Sequence, residues 1–386
     1  ALISGFSKEN IKCDSCGIVS TPILSFNTRN FDYDLGIMIS ASHNPYNDNG
    51  IKIFKKNGEK LTDNDEIEIE KNIDLDDKGL PSSIENKAIS KIVLENYENE
   101  LISRFSKLSD FKQKITLDCA NGSLSKIAPT VLKELQLNFI NYASEPNGIN
   151  INENCGAMHP TRLSSNTLHY NSDIGISFDG DADRVVFCDE KGNIVDGDYI
   201  LAILSRNLKE NDLLINNLVV STKMSNLGLR RYLENNKIDY ILSDVGDRYV
   251  IEMMKKKNSS IGGEQSGHII FSNNSYCGDG LLTALQILEI LNQQKCKLSE
   301  LCNDLFIKVP QKLVNIKMNK DSNQVLEDSK IINYLSDKLT LKDCDILLRK
   351  SGTENLLRLM VQSKSKEKMN SIINDLVEMI KGIDEK

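Results

Sequence analysis

The stretch LGIMISASHNPYNDNGIKIF, residues Leu35–Phe54, sets the pattern for the chain. LGIMISAS is an apolar run that predicts a strand. HNPYNDNG carries the Asn-Pro and Asp-Asn-Gly chemistry of a turn-rich loop, and IKIFKKNG predicts a returning strand. Ser42 falls at the end of the first run and the start of the loop. In open α/β sheets ligands bind beyond the carboxyl ends of the strands, so a serine there is placed to react. Lys52, ten residues on, can return toward it. A Ser-His pair in a turn is usually structural, and no G-x-S-x-G elbow surrounds Ser42 to suggest a hydrolase.

Outward from this stretch, apolar β-rich runs alternate with helical patterns, predicting βα units and mostly parallel sheet. An acidic helix TDNDEIEIEKN is followed by a polar connection around Lys78–Lys91. A second block, about Val93 to Gly192, reads as strand KITLDCANG, helix SKIAPTVLKELQ, and strands NFINYA and DIGISF. A third has strands LVVST and DYILSD and helices SNLGLRRYLENN, DRYVIEMMKKK and DGLLTALQILEILNQQ. From about Pro310 come strand LVNIKMN, one helix NQVLEDSKIINYLSDKL, strand CDILLRK and an amphipathic helix KEKMNSIINDLVEMIKGI. The expected fold class is α/β: three mixed-sheet α/β domains at 1–92, 93–195 and 196–309, and a smaller C-terminal α+β domain at 310–386.

Three further stretches carry chemistry. GISFDGDADRVVF places Asp179, Asp181 and Asp183 at alternate positions between apolar runs. Oxygen ligands so spaced suit a hard cation such as Mg²⁺ or Ca²⁺. An EF-hand fits poorly, although Glu190 falls at its twelfth position. Arg184 stands where that loop wants glycine, and VVF predicts a strand. SIGGEQSGHIIF offers glycines for close backbone approach, with Glu264, Ser266 and His268 suited to sugar hydroxyls. LLRKSGTENLLRLMV sets Arg349 and Arg358 about Ser351, Gly352 and Thr353, a set of guanidinium forks, hydroxyls and backbone N–H groups that suits a phosphate.

The 386 residues are 40% hydrophobic and 26% charged, with a net charge of −8. That balance argues against a general nucleic-acid binder, which needs clustered Lys and Arg. No run of about 18 apolar residues suggests a membrane span, and ALISGFSKEN lacks the features of a signal peptide. A cytoplasmic protein is expected. Nine scattered cysteines read as reduced thiols, and the lone Cys13/Cys16 pair has no partner pair to build a zinc site.

Together, in this order, the four motifs resemble those of the α-D-phosphohexomutases: active-serine, metal, sugar-recognition and phosphate loops. The resemblance covers essentially the whole chain. Its details are most similar to the phosphoglucosamine mutase family, on ISASHNP with DNGIK, the PNGININ–CGA–HP run over Pro146–Pro160, VVSTKMSNLGL, VGDRYV and GGEQSGH. The resemblance implies a four-domain, heart-shaped molecule with a central cleft and a phosphoserine at Ser42. One Mg²⁺ per chain would join that phosphate to Asp179, Asp181 and Asp183. Lys52 and Arg184 would lie by the transferring phosphoryl group, with Lys52, then His268, as candidate general acid or base. Glu264, Ser266, Asp247 and Arg248 would contact substrate, and Arg349, Ser351, Gly352, Thr353 and Arg358 its non-reacting phosphate.

The implied reaction interconverts glucosamine 6-phosphate and glucosamine 1-phosphate through glucosamine 1,6-bisphosphate, feeding cell-wall precursor synthesis. The implied partner is a phosphosugar, without nucleic acid or membrane, and the reading is compatible with a homodimer. Two alternatives stay open: a phosphoglucomutase/phosphomannomutase, and a non-catalytic phosphosugar-binding protein. Lys350 and Asn355 replace prolines usual in the family's phosphate loop, and Asp244 stands where relatives often carry a basic residue. Ala1 falls partway into the family's first domain, past an F-G-T-D-G-x-R-G-like motif with an arginine, so the chain from Ala1 is expected to turn over poorly.

Overall fold

In the computed structural model the described residues are 2–73, 87–339, 343–351 and 355–385. They build four successive sheet-containing units. In the first, strands Leu35–Ile39 and Ile51–Lys55 pair antiparallel, with Met38 opposite Lys52. Helix Thr21–Asn30 packs on this hairpin. Ser20 caps it, accepting a hydrogen bond from the Ile23 amide at 3.3 Å, and Pro22 sits in the first turn where its missing N–H costs nothing.

The second unit is a five-stranded sheet ordered Phe139–Tyr142, Ile115–Asp118, Ile174–Phe178, Val185–Asp189, Ile194–Val195. The first three strands are parallel and the last two join antiparallel. The sheet is thus mixed, as expected for these domains, its parallel βα part extended by two antiparallel strands. Ile174–Phe178 and Val185–Asp189 are buried along their whole length, as expected for central strands covered on both faces. The third unit orders its strands Asp239–Ser243, Leu218–Thr222, Ile261–Gly263, Ile269–Phe271, the last again antiparallel. Helix Gly280–Gln294 packs against strands of the second unit and helix Gly197–Glu210 of the third. Its near-continuous apolar sequence matches burial on most of its surface. The cores of these three units share one large apolar cluster, and a smaller one lies within the third unit around Val220, Val250, Met254 and Ile270.

The fourth unit stands apart. Its antiparallel sheet runs Gln311–Lys317, Leu356–Ser363, Cys344–Lys350. Helix Lys366–Asp384 covers it with Met369, Ile372, Ile373, Leu376 and Ile380, a one-faced stripe at helical spacing. Its core is a separate cluster. The expected single helix after residue 322 is two, Ser322–Leu326 and Ser329–Leu339. Between them the Asp328 carboxylate accepts a hydrogen bond from the Lys330 amide at 2.8 Å, a local bond that favours starting a new helix. All nine cysteines are free. Among the described residues no helix is long and apolar enough to cross a membrane.

Candidate active site

The antiparallel pairing of Phe178 with Val185 closes a tight loop over residues 179–184 and gathers its carboxylates at the sheet end. Asp179, Asp181 and Asp183 are all buried, with one oxygen from each lying within 4.8 Å of the others. A strand, not a helix, follows the loop, as the sequence predicts. Burial and its two carboxylate neighbours push Asp179 well above the usual carboxylate range. At Asp183 burial acts the same way but is outweighed by Lys52 and His268, which hold it well below.

The Ser42 loop lies against these carboxylates. Ser42 donates from Oγ to Asp179 at 3.0 Å, and its amide bonds to Ser40 Oγ at 2.9 Å. Ser42 has φ +55°, a left-handed conformation that costs a non-glycine residue about 1–3 kcal/mol and clusters at functional sites. A Cβ at Gly180 would stand 2.8 Å from the Ser42 carbonyl, so only glycine lets the two loops meet this closely. Asn152 clamps the serine loop from the second unit, donating to the carbonyls of Ser42 at 3.1 Å and Asn44 at 2.9 Å.

Lys52 projects from the returning strand between Asp181 at 2.6 Å and Asp183 at 3.0 Å. Burial alone would lower its pKa, yet the two carboxylates raise it above the usual lysine value. Asp181 also accepts from Thr21 Oγ1 at 2.5 Å and Ser40 Oγ at 2.9 Å. Arg184 is within 4.0 Å of Asp179 and 3.9 Å of Asp183. His268 points Nδ1 at Asp183 across 3.6 Å. Its Cε1 and Nε2 crowd the place where a Cβ on residue 278 would stand, so it backs Asp183 from inside the protein. Burial would depress the imidazole, but Asp183, Asp247 and Glu264 raise it above its ordinary value.

The sugar-motif loop lies at the edge of the third sheet. Glu264 accepts from the Gly246 amide at 3.1 Å, and its charge acts on both Arg184 and Arg349. Glu264 therefore stands electrostatically between the metal loop and the fourth unit. Gly267, at φ +92°, gives its carbonyl to the Val185 amide at 3.1 Å. That glycine serves contact between loops of the protein itself. Asp247 faces Lys60 at 3.8 Å. Arg248 is turned to the first unit, paired with Asp63 and lying 4.5 Å over the Tyr249 ring. Asp244 is neutralised by Lys223 at 2.6 Å.

In the fourth unit Arg349 and Arg358 sit directly opposite each other on neighbouring strands. Burial and the Arg358 charge lower the Arg349 pKa. Ser351 Oγ is buried beside them; Gly352 and Thr353 lie outside the described residues. Asp181 Oδ1, Asp183 Oδ1, Arg184 Nε, Ser266 Oγ, Ser351 Oγ and Arg358 Nε are all buried without a hydrogen-bond partner. Buried polar groups are ordinarily satisfied, and the two free oxygens of Asp181 and Asp183 in particular suit a cation.

Family models for phosphoglucomutase/phosphomannomutase alpha/beta/alpha domains I, II and III match residues 1–79, 95–192 and 196–309. The model for the C-terminal domain matches residues 313–379. The chain belongs to the phosphoglucomutase/phosphomannomutase family. Within that family it is 42% identical to the phosphoglucosamine mutase of Clostridium acetobutylicum, across 98% of this chain and 86% of that protein. The phosphoglucosamine mutase of Thermoanaerobacter pseudethanolicus is 43% identical, with the same two coverages. The fold matches a Burkholderia thailandensis phosphoglucomutase/phosphomannomutase family protein with a TM-score of 0.81 at 22% identity, over 99% of this chain and 85% of that one. It also matches Aspergillus fumigatus N-acetylphosphoglucosamine mutase in complex with GlcNAc-6P and magnesium. That TM-score is 0.70 at 16% identity, over 94% of this chain and 92% of that one.

The structure thus brings Ser42, Lys52, Arg184 and the three aspartates together, with His268 behind them. Sequence reasoning assigned no role to Thr21, Ser40 or Asn152. Ser40 and Asn152 lie inside the ISASHNP and PNGININ motifs without marking themselves there, Thr21 lies in none, and each bonds atoms more than a hundred residues away.

Proposed function

We propose that this chain is a phosphoglucosamine mutase working through a phosphoserine at Ser42. The observation that carries the reading is Ser42 Oγ, 3.0 Å from Asp179 within a buried three-carboxylate cluster flanked by Lys52 and Arg184. Phosphoryl transfer depends mainly on positioning and charge stabilisation, and these groups supply both. Asp179, Asp181 and Asp183 would hold a Mg²⁺, for which the unpaired buried oxygens of Asp181 and Asp183 are suited donors. When bound, the ion offsets negative charge on the transferring phosphoryl group.

In the forward half-reaction the phosphoserine P–Oγ bond breaks as a sugar hydroxyl forms the new P–O bond. The proton lost by the sugar hydroxyl balances the one gained by the departing Ser42 Oγ, and Ser42 recovers the bisphosphate's other phosphoryl in the second half. Lys52, kept protonated between Asp181 and Asp183, suits charge stabilisation of the transferring phosphoryl group. Arg184 adds a guanidinium on the same side. His268 acts through Asp183, whose orientation it fixes. Glu264 and Ser266 would take sugar hydroxyls, with Asp247 close by. Arg349, Arg358 and Ser351 would hold whichever phosphate is not reacting, so one cradle serves both orientations of glucosamine 1,6-bisphosphate. Arg248, engaged with Asp63, contributes by joining the first and third units.

A coupled assay with glucosamine 6-phosphate, glucose 6-phosphate and mannose 6-phosphate, with catalytic bisphosphate and Mg²⁺, tests the reading. The highest kcat/KM is expected for glucosamine 6-phosphate. A preference for glucose or mannose phosphates would make the chain a phosphoglucomutase or phosphomannomutase. No turnover of any would overturn mutase function.

A further inference from the structure

The sugar-motif loop has two faces. Glu264 and Ser266 are assigned above to sugar hydroxyls, but Gln265 between them bonds to the protein itself. Its Nε2 donates to the buried carboxylate of Asp198 at 2.9 Å and to Gln311 Oε1 at 3.0 Å. Its carbonyl accepts from the Gly197 amide at 3.1 Å, so side chain and backbone both tie the loop to the start of helix Gly197–Glu210. Gln311 is the first residue of strand Gln311–Lys317 in the fourth unit. Among the described residues, Gln265 is the member of Glu264–Ser266 that bonds to that unit.

The rest of this joint is polar as well. Gln311 Nε2 donates to the Met224 carbonyl at 2.8 Å. Gln362, paired directly opposite Gln311 in the sheet, accepts from the Leu227 amide at 2.8 Å and donates to the Ser225 carbonyl at 3.2 Å. Asp345, opposite Gln362 on the other side, meets Arg230 at 2.6 Å. The fourth unit is therefore seated on residues 223–230 by directional hydrogen bonds, while its apolar core stays its own. Arg358 lies four residues along the same strand from Gln362, and Arg349 four from Asp345, which at strand rise is about 14 Å from joint to cradle. A small rotation at the joint moves the arginines by a lever of that length.

We infer that Gln265 is a positioning residue that couples the sugar-holding loop to the seat of the fourth unit and so sets the gap between sugar and phosphate contacts. The inference rests on the proposed phosphosugar site. Because a phosphosugar must engage both contacts at once, the gap governs its binding more than the chemistry at Ser42.

The test uses the full chain with Gln265→Met, Gln311→Met and the double variant, each checked for folding by circular dichroism. For both glucosamine phosphates, Gln265→Met is expected to raise KM about tenfold with kcat changed less than about threefold. Gln311→Met, which never touches substrate, is expected to do the same, and the double variant to be no worse than either single one. Amide hydrogen exchange is expected to speed up over residues 224–227 and 311–317. Unchanged KM in a folded Gln265→Met, or effects that multiply in the double variant, would overturn the coupling. If Gln265→Met fails to fold, Gln311→Met decides from the other side of the bond. If the parent chain turns over no phosphosugar, the functional reading falls, but exchange still judges the joint: unaltered protection in Gln265→Met overturns it.

Discussion

Asn152 holds Ser42 by its backbone. The Asn152 amide reaches across 110 residues of sequence to donate to the Ser42 carbonyl at 3.1 Å, and Ser42 occupies a left-handed conformation with φ +55°. A loop in a disfavoured conformation persists only where its surroundings over-determine it.

Asn152→Ala is therefore expected to lower kcat about 10- to 100-fold, the scale of a misplaced reacting group. Binding of phosphosugar to the arginine cradle should change little. Steady-state kinetics checks this, and an unchanged kcat would remove Asn152 from the machinery.

Cation binding has a readout that needs no turnover. With three carboxylates buried together, Mg²⁺ should raise the thermal transition of the wild type by selective binding to the folded state. Asp181→Asn should lose that response and reduce mutase rate by several orders of magnitude. Calorimetry with and without Mg²⁺ decides; an undiminished response in Asp181→Asn would displace the site.

The two arginines trade stability against affinity. Arg349 and Arg358 face each other in register, and like charges directly opposite on neighbouring strands are destabilising. Arg358→Gln should leave the free protein equally or more stable, yet raise KM for both glucosamine phosphates by about 10-fold or more. Lowered stability together with unchanged KM would count against the cradle.

A pH dependence follows from Asp279, partly buried, whose carboxyl is raised by burial from 3.8 to about 6 while the Tyr97 hydroxyl donates to both its oxygens at 2.8 and 2.9 Å. A raised acid binds its proton more tightly when folded, so stability is greatest below the unfolded value and is lost as pH climbs to about 6. That gap corresponds to roughly 3 kcal/mol. Tyr97→Phe removes a donor to the charged form and should destabilise more at about pH 8 than at about pH 5. Denaturant titrations at both values check the sign.

The four motif loops were legible because each joins apolar strands and concentrates residue types that suit one kind of chemistry. Strands such as Ile174–Phe178 and Val185–Asp189 announce themselves by continuous apolar sequence. Helix Thr21–Asn30 does not. Its buried face includes Ser25, Asn27 and Thr28, and Asn27 and Thr28 satisfy their side chains on carbonyls one turn back, at 2.9 and 2.8 Å. That hides the apolar period a sequence reading relies on. Helix Ser90–Arg104 buries only Val93, Tyr97 and Leu101, a stripe too thin to stand out beside the polar segment before it. The sequence spacing that brings three aspartates together was visible. The hydrogen bonds that orient Asp181 come from Thr21 and Ser40, more than a hundred residues away.

The separate core of the fourth unit has a thermodynamic consequence. A fourth unit with its own core, joined to the rest through polar contacts, is a cooperative block of its own, so heating the free protein should produce two overlapping transitions in place of one. A cation held by the three aspartates would belong to the larger block alone and would move one transition, drawing the two apart. A bisphosphate gripped at both ends stabilises the blocks only while they are together, and would merge them into a single melt.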